Sequence, residues 1–569
     1  MRRLGQAALL LAAAGLIVWR AARSKPAPPA LPPLPALFED VTQRAGIDFA
    51  HFQGRRSSLL PEDMGSGACW GDVDGSGNLA LYLVNAEPVD PAKRNPGSHP
   101  RNALYRNHGD GTFEDVTEKA GVRGRGLGMG CLFVDLENKG RPDLLVTGYE
   151  GNILYRNEGG WKFTEITRSA GLNDGRWSSG ACAADYDNDG RLDIFVPHYV
   201  DFKLVNASKR TAIERGGFSI PLTLSPFAFR PVGSSLYHNE GGGRFREVGR
   251  EAGVVNKDGR ALQCVFADLD EDGRPDLYAA DDVGPDVLLR NVGGGRFKDV
   301  TNEAWLGDVK SSMGVAIGDF DRDGDQDLAV TQWIAHEKSL YINLLRERGG
   351  MDKPGHRLHF ADGNAAAGLG ETTLDNVGWG VAFLDYDNDG WPDLLIVNGS
   401  TFEDQDHLER LVPQRMQLFH NEGNGTFTDV SARAGPAFQV PINARGAAIA
   451  DYENDGRVDI AVNVNGGKAL LLRNVVPNGN HWLETRLRGS RGNRDGVGAR
   501  VTVTTGEGRG QSCLVTAGGS YLSMNSLRCH FGLGRWDVVK NVRVSWPSGQ
   551  VQTLKDVTAD QILKVVEPR

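Results

Sequence analysis

Residues 385–393 read DYDNDGWPD, and the same acidic string returns along the chain. Residues 185–193 are DYDNDGRLD, 268–276 DLDEDGRPD, 319–327 DFDRDGDQD and 451–459 DYENDGRVD. Carboxylates spaced so closely repel one another unless a cation sits among them. Hard oxygen ligands at alternating places, with a glycine for the sharp turn, suit calcium. The side chains assigned to the metal stand at places one, three, five and nine. They are Asp185, Asp187, Asp189 and Asp193; Asp268, Asp270, Asp272 and Asp276; Asp319, Asp321, Asp323 and Asp327; Asp385, Asp387, Asp389 and Asp393; and Asp451, Glu453, Asp455 and Asp459. Place seven is expected to add a backbone carbonyl, and the chain to hold about five Ca2+ ions. Two eroded copies start at Asp72 (DVDGSGNLA) and Asp135 (DLENKGRPD). Ala80 replaces the last carboxylate of the first, and Lys139 takes a ligand place in the second, so neither is expected to bind an ion.

These are not EF-hand loops, which need a glutamate at place twelve and flanking helices. Place twelve is Val196, Ala279, Val330 or Ile396, and short apolar runs flank each loop, as in GVAFLD before and DLLIV after the blade-forming string at Asp385. Apolar runs of this length joined by a turn predict a buried strand hairpin. A second element alternates with the loops: LYRNHGDGTFEDVTEKAGV from Leu104, LYRNEGGWKFTEITRSAGL from Leu154, LYHNEGGGRFREVGREAGV from Leu236, LLRNVGGGRFKDVTNEAWL from Leu288 and LFHNEGNGTFTDVSARAGP from Leu418. It predicts two more strands around a Gly-rich turn. Four strands recurring every 50–80 residues or so is the period of a propeller blade. The last repeat lacks its F-x-D-V-T strand, which stands instead at the other end of the chain as FEDVTQRAGI from Phe38. The reading is therefore all-β: a seven-bladed β-propeller with calcium-binding hairpin loops, its ring closed by the N-terminal strand, plus a small β-rich C-terminal domain.

The repeats resemble the FG-GAP (VCBS) repeats of integrin α-type propellers and cover roughly residues 37–476. After them, NHWLETRL from Asn480, NRDGVGARVTV from Asn493, GGSYLSMNSLRCHFGLG from Gly518 and VSWPSG from Val544 resemble the ASPIC/UnbV domain, taken as residues 477–569. Together they resemble bacterial relatives of the cartilage acidic protein family. The resemblance implies calcium binding and an extracytoplasmic interaction role, with no established reaction.

Residues 1–25 place Arg2 and Arg3 before an apolar run of export-signal length. They are read as a signal peptide or a short membrane anchor, followed by a Pro-rich linker over residues 26–36. The protein is thus expected to be exported to the periplasm or cell surface and tethered by its N-terminus. The formal charge of −10 belongs to the loops, because five doubly charged ions would cancel it. No basic stripe supports nucleic-acid binding. Of six cysteines, Cys69, Cys131, Cys182 and Cys264 precede their loops on first strands and are read as small core hydrophobes. Cys513 and Cys529 flank the centre of the C-terminal domain, where an oxidising compartment would allow a disulfide.

No nucleophile elbow, zinc-protease helix or P-loop is present, so the chain is read as a binding module rather than an enzyme. Its insertions, residues 85–102, 199–235, 332–339 and 400–417, fall on the face opposite the calcium loops, where binding residues are expected. Tyr149, Glu150, Trp177, His198, Tyr199, Asp281, Asp282, Trp333 and His336 are the candidates at the propeller mouth, for a protein or polysaccharide partner. The alternatives are a carbohydrate-active enzyme with its site in that mouth, or a structural subunit of a surface assembly.

Overall fold

Each acidic string joins two strands, as its flanking residues require. In the sixth repeat, Gly378–Leu384 pairs antiparallel with Asp393–Asn398, which pairs with Gln417–Asn421 and then with Phe427–Asp429. The inner strands are buried along nearly their whole length, which explains why they read as continuous apolar runs rather than as an alternation. The computed structural model describes residues 36–569 apart from 53, 96–99, 204–211, 216–217, 222–223, 335, 347–357, 405, 408–409, 478, 507 and 509. The expected export or anchor segment, and the linker up to residue 35, lie outside the described residues. Among the described residues no helix is long and apolar enough to cross a membrane.

Seven four-stranded antiparallel sheets follow one another and are taken as blades 1 to 7. Their innermost strands are Ala68–Gly71, Gly128–Val134, Cys182–Ala184, Ala261–Ala267, Ser312–Gly318, Gly378–Leu384 and Ala444–Ala450. Blade 7 is completed by the N-terminal strand Phe38–Asp40, with Phe38 opposite Asn474 and Asp40 opposite Leu472. The expected ring closure is therefore present.

The C-terminal region adds two sheets. One orders Cys529–Gly534, His481–Arg488 and Gln561–Val566, the last pair running parallel. The other orders Gly510–Leu514, Arg500–Thr504, Val538–Ser545 and Val551–Thr558. Their apolar faces join the core of blades 1 to 3 in a single cluster that includes Leu132, Ile194, Val501, Phe531 and Val542. Residues 37–569 form one compact unit.

The propeller channel is filled by this C-terminal region. Residues 517–526 run through it and bond to the innermost strand of every blade. The Trp70 and Cys131 amides donate to the carbonyls of Met524 and Leu522 at 3.2 Å each, Ala183 N to Ala517 O at 2.9 Å, and Val315 N to Ser520 O at 2.8 Å. Gln263 Nε2 donates to Gly519 O, Val381 N to Ser520 Oγ, and Ile449 N to Asn525 Oδ1. Innermost strands have an open edge, and this plug supplies the partners that the edge requires. Close approach explains two of the glycines: a Cβ on Gly67 would lie 2.1 Å from the Leu522 carbonyl oxygen, and one on Gly314 would lie 2.7 Å from that of Ser520. Cys513 and Cys529 are disulfide-bonded at the base of the plug.

A candidate calcium face beneath a C-terminal cap

Local chemistry shapes each acidic loop before any metal is considered. In blade 6 the amides of Asp389 and Gly390 donate to the two oxygens of Asp385 at 3.1 and 2.8 Å, and Trp391 N donates to Asp389 Oδ1 at 2.8 Å. Asn388 at place four and Gly390 at place six take left-handed conformations, with φ of 58° and 95°. Asp393 at place nine opens the second strand and is fully buried. Its Oδ1 accepts from the amide of Asn421, whose side chain in turn donates to Phe320 O of blade 5 at 2.8 Å.

That asparagine recurs in every blade. Asn157, Asn239, Asn291, Asn343 and Asn474 donate to the carbonyls of Val73, Leu136, Tyr186, Leu269 and Tyr386 in the preceding loop, and Asn107 donates to Tyr452. Each loop thus carries a bond to its neighbour, and the loop turns form a hydrogen-bonded circle.

The assigned carboxylates converge. Ligand atoms of Asp185, Asp187 and Asp193, of Asp268, Asp270 and Asp272, and of Asp319, Asp321 and Asp327 lie within 4.8 Å of one another. Asp387 and Asp393 do so with His420, an imidazole absent from the assigned set. A second imidazole, His238, joins Asp187 and Asp189 in blade 3. Both histidines sit at the place filled by Arg290 in blade 4 and Arg473 in blade 7, which pair with Asp270 at 2.5 Å and Glu453 at 2.6 Å. The Y-H-N and F-H-N strings carried this signal.

Burial raises the proton affinity of the innermost ligands. It pushes Asp185, Asp268, Asp319 and Asp393 up to about 7, Asp451 up to about 8 and Asp193 up to about 9, and holds Asp276, Asp327, Asp385 and Asp459 well above the ordinary range. Nearby cations, Arg500 for Asp268 and His420 for Asp393, do not offset that burial, and a divalent ion among the carboxylates would. The carboxylate donors, with backbone amides fixing the turn, fit calcium, and in blades 3 and 6 the imidazoles of His238 and His420 stand beside them.

In the eroded loops a protein cation reaches one carboxylate each, although burial still pushes Asp143 of the second up to about 7. Arg486 of the C-terminal domain forms an ion pair with Asp72, and Lys139 Nζ pairs with Glu137 at 2.8 Å. The same domain lies over the loop face as a cap. Asp495 Oδ2 accepts from Asp135 N at 2.7 Å, Arg500 donates to Asp268 O at 3.1 Å and to Gly324 O at 3.0 Å, and Ser512 N donates to Asp319 Oδ2 at 3.1 Å. His530 meets Asn388 Oδ1 at 2.7 Å, Asn480 donates to Asp387 O at 2.9 Å, and Arg528 donates to Asn454 Oδ1 at 2.7 Å.

The opposite mouth differs from expectation. Trp177, Tyr199, Trp333 and Trp379 pack there with Leu60 and Met64 of the short helix Leu60–Met64 and with Tyr521 and Leu522 of the plug. His198 is fully buried between Ser178 and Ser235, Tyr199 Oη donates to Asp282 at 2.5 Å, and Asp281 is 1% exposed. Of the mouth candidates, Glu150 is exposed, while Tyr149 and His336 are half-buried. The aromatic and acidic set seals one end of the channel, because the plug arrives from a part of the chain that blade order does not reveal.

Two cysteines assigned to the core are instead bonded: Cys69 and Cys131 form a disulfide between blades 1 and 2, with a Cα–Cα distance of 6.0 Å. Neighbouring innermost strands bring them together, a proximity set by the ring rather than by local sequence.

A buttressed ring of acidic hairpins under a β-rich cap defines the class. A model described as FG-GAP-like repeat matches residues 72–146, 135–196, 227–279, 268–330 and 397–462, and one described as ASPIC and UnbV matches residues 489–569. The chain belongs to the FG-GAP-like repeat family and carries a C-terminal ASPIC and UnbV domain. It is similar to cartilage acidic protein 1 of Mus musculus, 25% identical over 57% of this chain and 47% of that protein. The Homo sapiens protein of the same name is 24% identical over 57% and 46%. The chain therefore spans about half the length of the curated relatives it matches. Among solved structures, an Agrocybe aegerita lectin aligns with a TM-score of 0.36 and 16% identity, over 66% of this chain and 84% of that one.

Proposed function

We propose that the protein is an exported, calcium-stabilised binding module that engages an extracytoplasmic protein or polysaccharide and acts by binding rather than by catalysis. The observation that carries this reading is a cleft of about 1200 Å³ between the loops of blades 3 to 5 and the cap. Clefts at the junction of two structural units are the usual seats of ligands. Asp189, Asp272 and Asp323 line one wall beside Arg322 and Arg346, and Arg491 and Arg543 line the other, with Arg500 bridging to Glu271 at 2.8 Å. Calcium in the loops would neutralise the acidic wall, so the guanidinium groups would favour an anionic segment of the partner. The ions themselves are structural here: they fix the loops on which the cap rests. The N-terminal segment serves export and tethering.

The test uses the full chain, with binding to carboxylated, sulfated and neutral glycans and to extracellular proteins measured in calcium and in chelator. Arg543 is exposed, so Arg543→Ala leaves the fold intact. Calcium-dependent binding to an anionic partner that falls at least tenfold in Arg543→Ala supports the cleft. Binding unchanged in that variant refutes it.

A further inference from the structure

We infer that Cys182 and Cys264 are an oxidisable pair that closes a third disulfide, clasping blade 3 to blade 4 as Cys69–Cys131 clasps blade 1 to blade 2. The two pairs occupy the same places in the repeat. Cys69 stands three residues before its loop and Cys131 four before the next; Cys182 stands three before Asp185 and Cys264 four before Asp268. All four lie on innermost strands, and each pair joins consecutive blades.

The surroundings match as well. Cys69 lies opposite Tyr82 in its hairpin, and the Cys131 sulfur is 4.0 Å from the Tyr82 carbonyl oxygen. Cys182 lies opposite Phe195, and the Cys264 sulfur is 4.0 Å from the Phe195 carbonyl oxygen. The same backbone frame therefore holds both second cysteines, and it brings the first pair within bonding reach. Cys182 and Cys264 are both fully buried, and both are free thiols in this structure.

Burial also sets the timing. A buried thiol away from positive charge is unreactive. The plug seals this pair: Gly518 packs so tightly on Cys182 that a Cβ there would lie 2.7 Å from the Cys182 Cβ. Oxidation therefore precedes seating of the plug. Two Sγ–H groups lose their protons and one S–S bond forms. The electron pair passes to the disulfide of a thiol–disulfide oxidant of the export compartment, which leaves as a dithiol.

The test is peptide mapping of the full chain recovered from an oxidising compartment, denatured in alkylating agent without reductant. The Cys69–Cys131 and Cys513–Cys529 peptides report within the same sample that oxidation took place. A linked Cys182–Cys264 peptide, with no alkylated form of either residue, is the expected result. Alkylated Cys182 and Cys264 in molecules whose other two disulfides are intact would overturn the inference.

Discussion

Asn107 Nδ2 donates to the main-chain carbonyl of Tyr452 across 2.8 Å, joining the first blade to the seventh over a sequence separation of 345 residues. It is the seam of the loop circle, made by the same asparagine that links every other neighbouring pair. The outer seam lies in the N-terminal strand. Closure is therefore written twice, once in strand pairing and once in the loops.

Asn107→Ala removes the seam bond and leaves a buried carbonyl without a partner. Such losses cost about 1–3 kcal/mol. Denaturant unfolding should show a lower midpoint with an unchanged slope. A midpoint equal to wild type would mean that the loop circle contributes nothing to closure.

Asp387→Ala removes a carboxylate from the blade 6 cluster. Calcium stoichiometry should fall by one, and the melting temperature should drop in calcium but hardly at all in chelator. An ion bound only to the native state stabilises it by about 2.7 kcal/mol at a hundredfold excess over its Kd. Asp72→Ala is the contrasting variant: Asp72 is already paired with Arg486, so stoichiometry should not change. Loss of an ion there would reverse the assignment of the eroded loops.

Metal-free protein should lose stability as pH rises from about 4 to about 8. The unfolded carboxyls release their protons near 4, whereas those of Asp185, Asp268, Asp319 and Asp393 hold them to about 7 in the fold. Within that window the native state binds more protons, so stability declines with increasing pH. Calcium must displace the same protons, and its affinity should rise across the same window. Urea midpoints in chelator at both ends of the range, with calcium titrations beside them, check both signs. Metal-free stability that increases with pH would refute the account.

Leu522→Ala empties part of the plug where Leu522 is 1% exposed among apolar neighbours. Buried Leu→Ala changes cost about 2–5 kcal/mol. The cost should appear in the unfolding of the propeller as a whole, because its core and that of the cap are continuous. A cap that melts separately, with the propeller transition unmoved, would contradict this.

The acidic strings were legible because ligand spacing is local: a few consecutive residues carry the carboxylates, the glycine turn and the strand exits. Ring closure was legible for a related reason, since FEDV at Phe38 is recognisably the piece missing after Leu472. The plug was not. GGSYLSMNS has no strand or helix period, and its partners lie on seven strands as far away as Trp70. Without it, Trp177, Tyr199 and Asp282 read as an open mouth, although they are packing. The same distance hid Cys69–Cys131: adjacency between blades follows from the circle, and the three-and-four offset was its only trace in the chain.

Arrays of repeats ordinarily lengthen or shorten by whole units, since each unit touches only its neighbours. Here one short segment, residues 517–526, holds a separate bond for every unit. Duplicating a blade would leave it without a place on that axle, and deleting one would strand a donor or acceptor in the channel. The C-terminal region thus acts as a tally of the blades, and the count is stored outside the sequence that repeats.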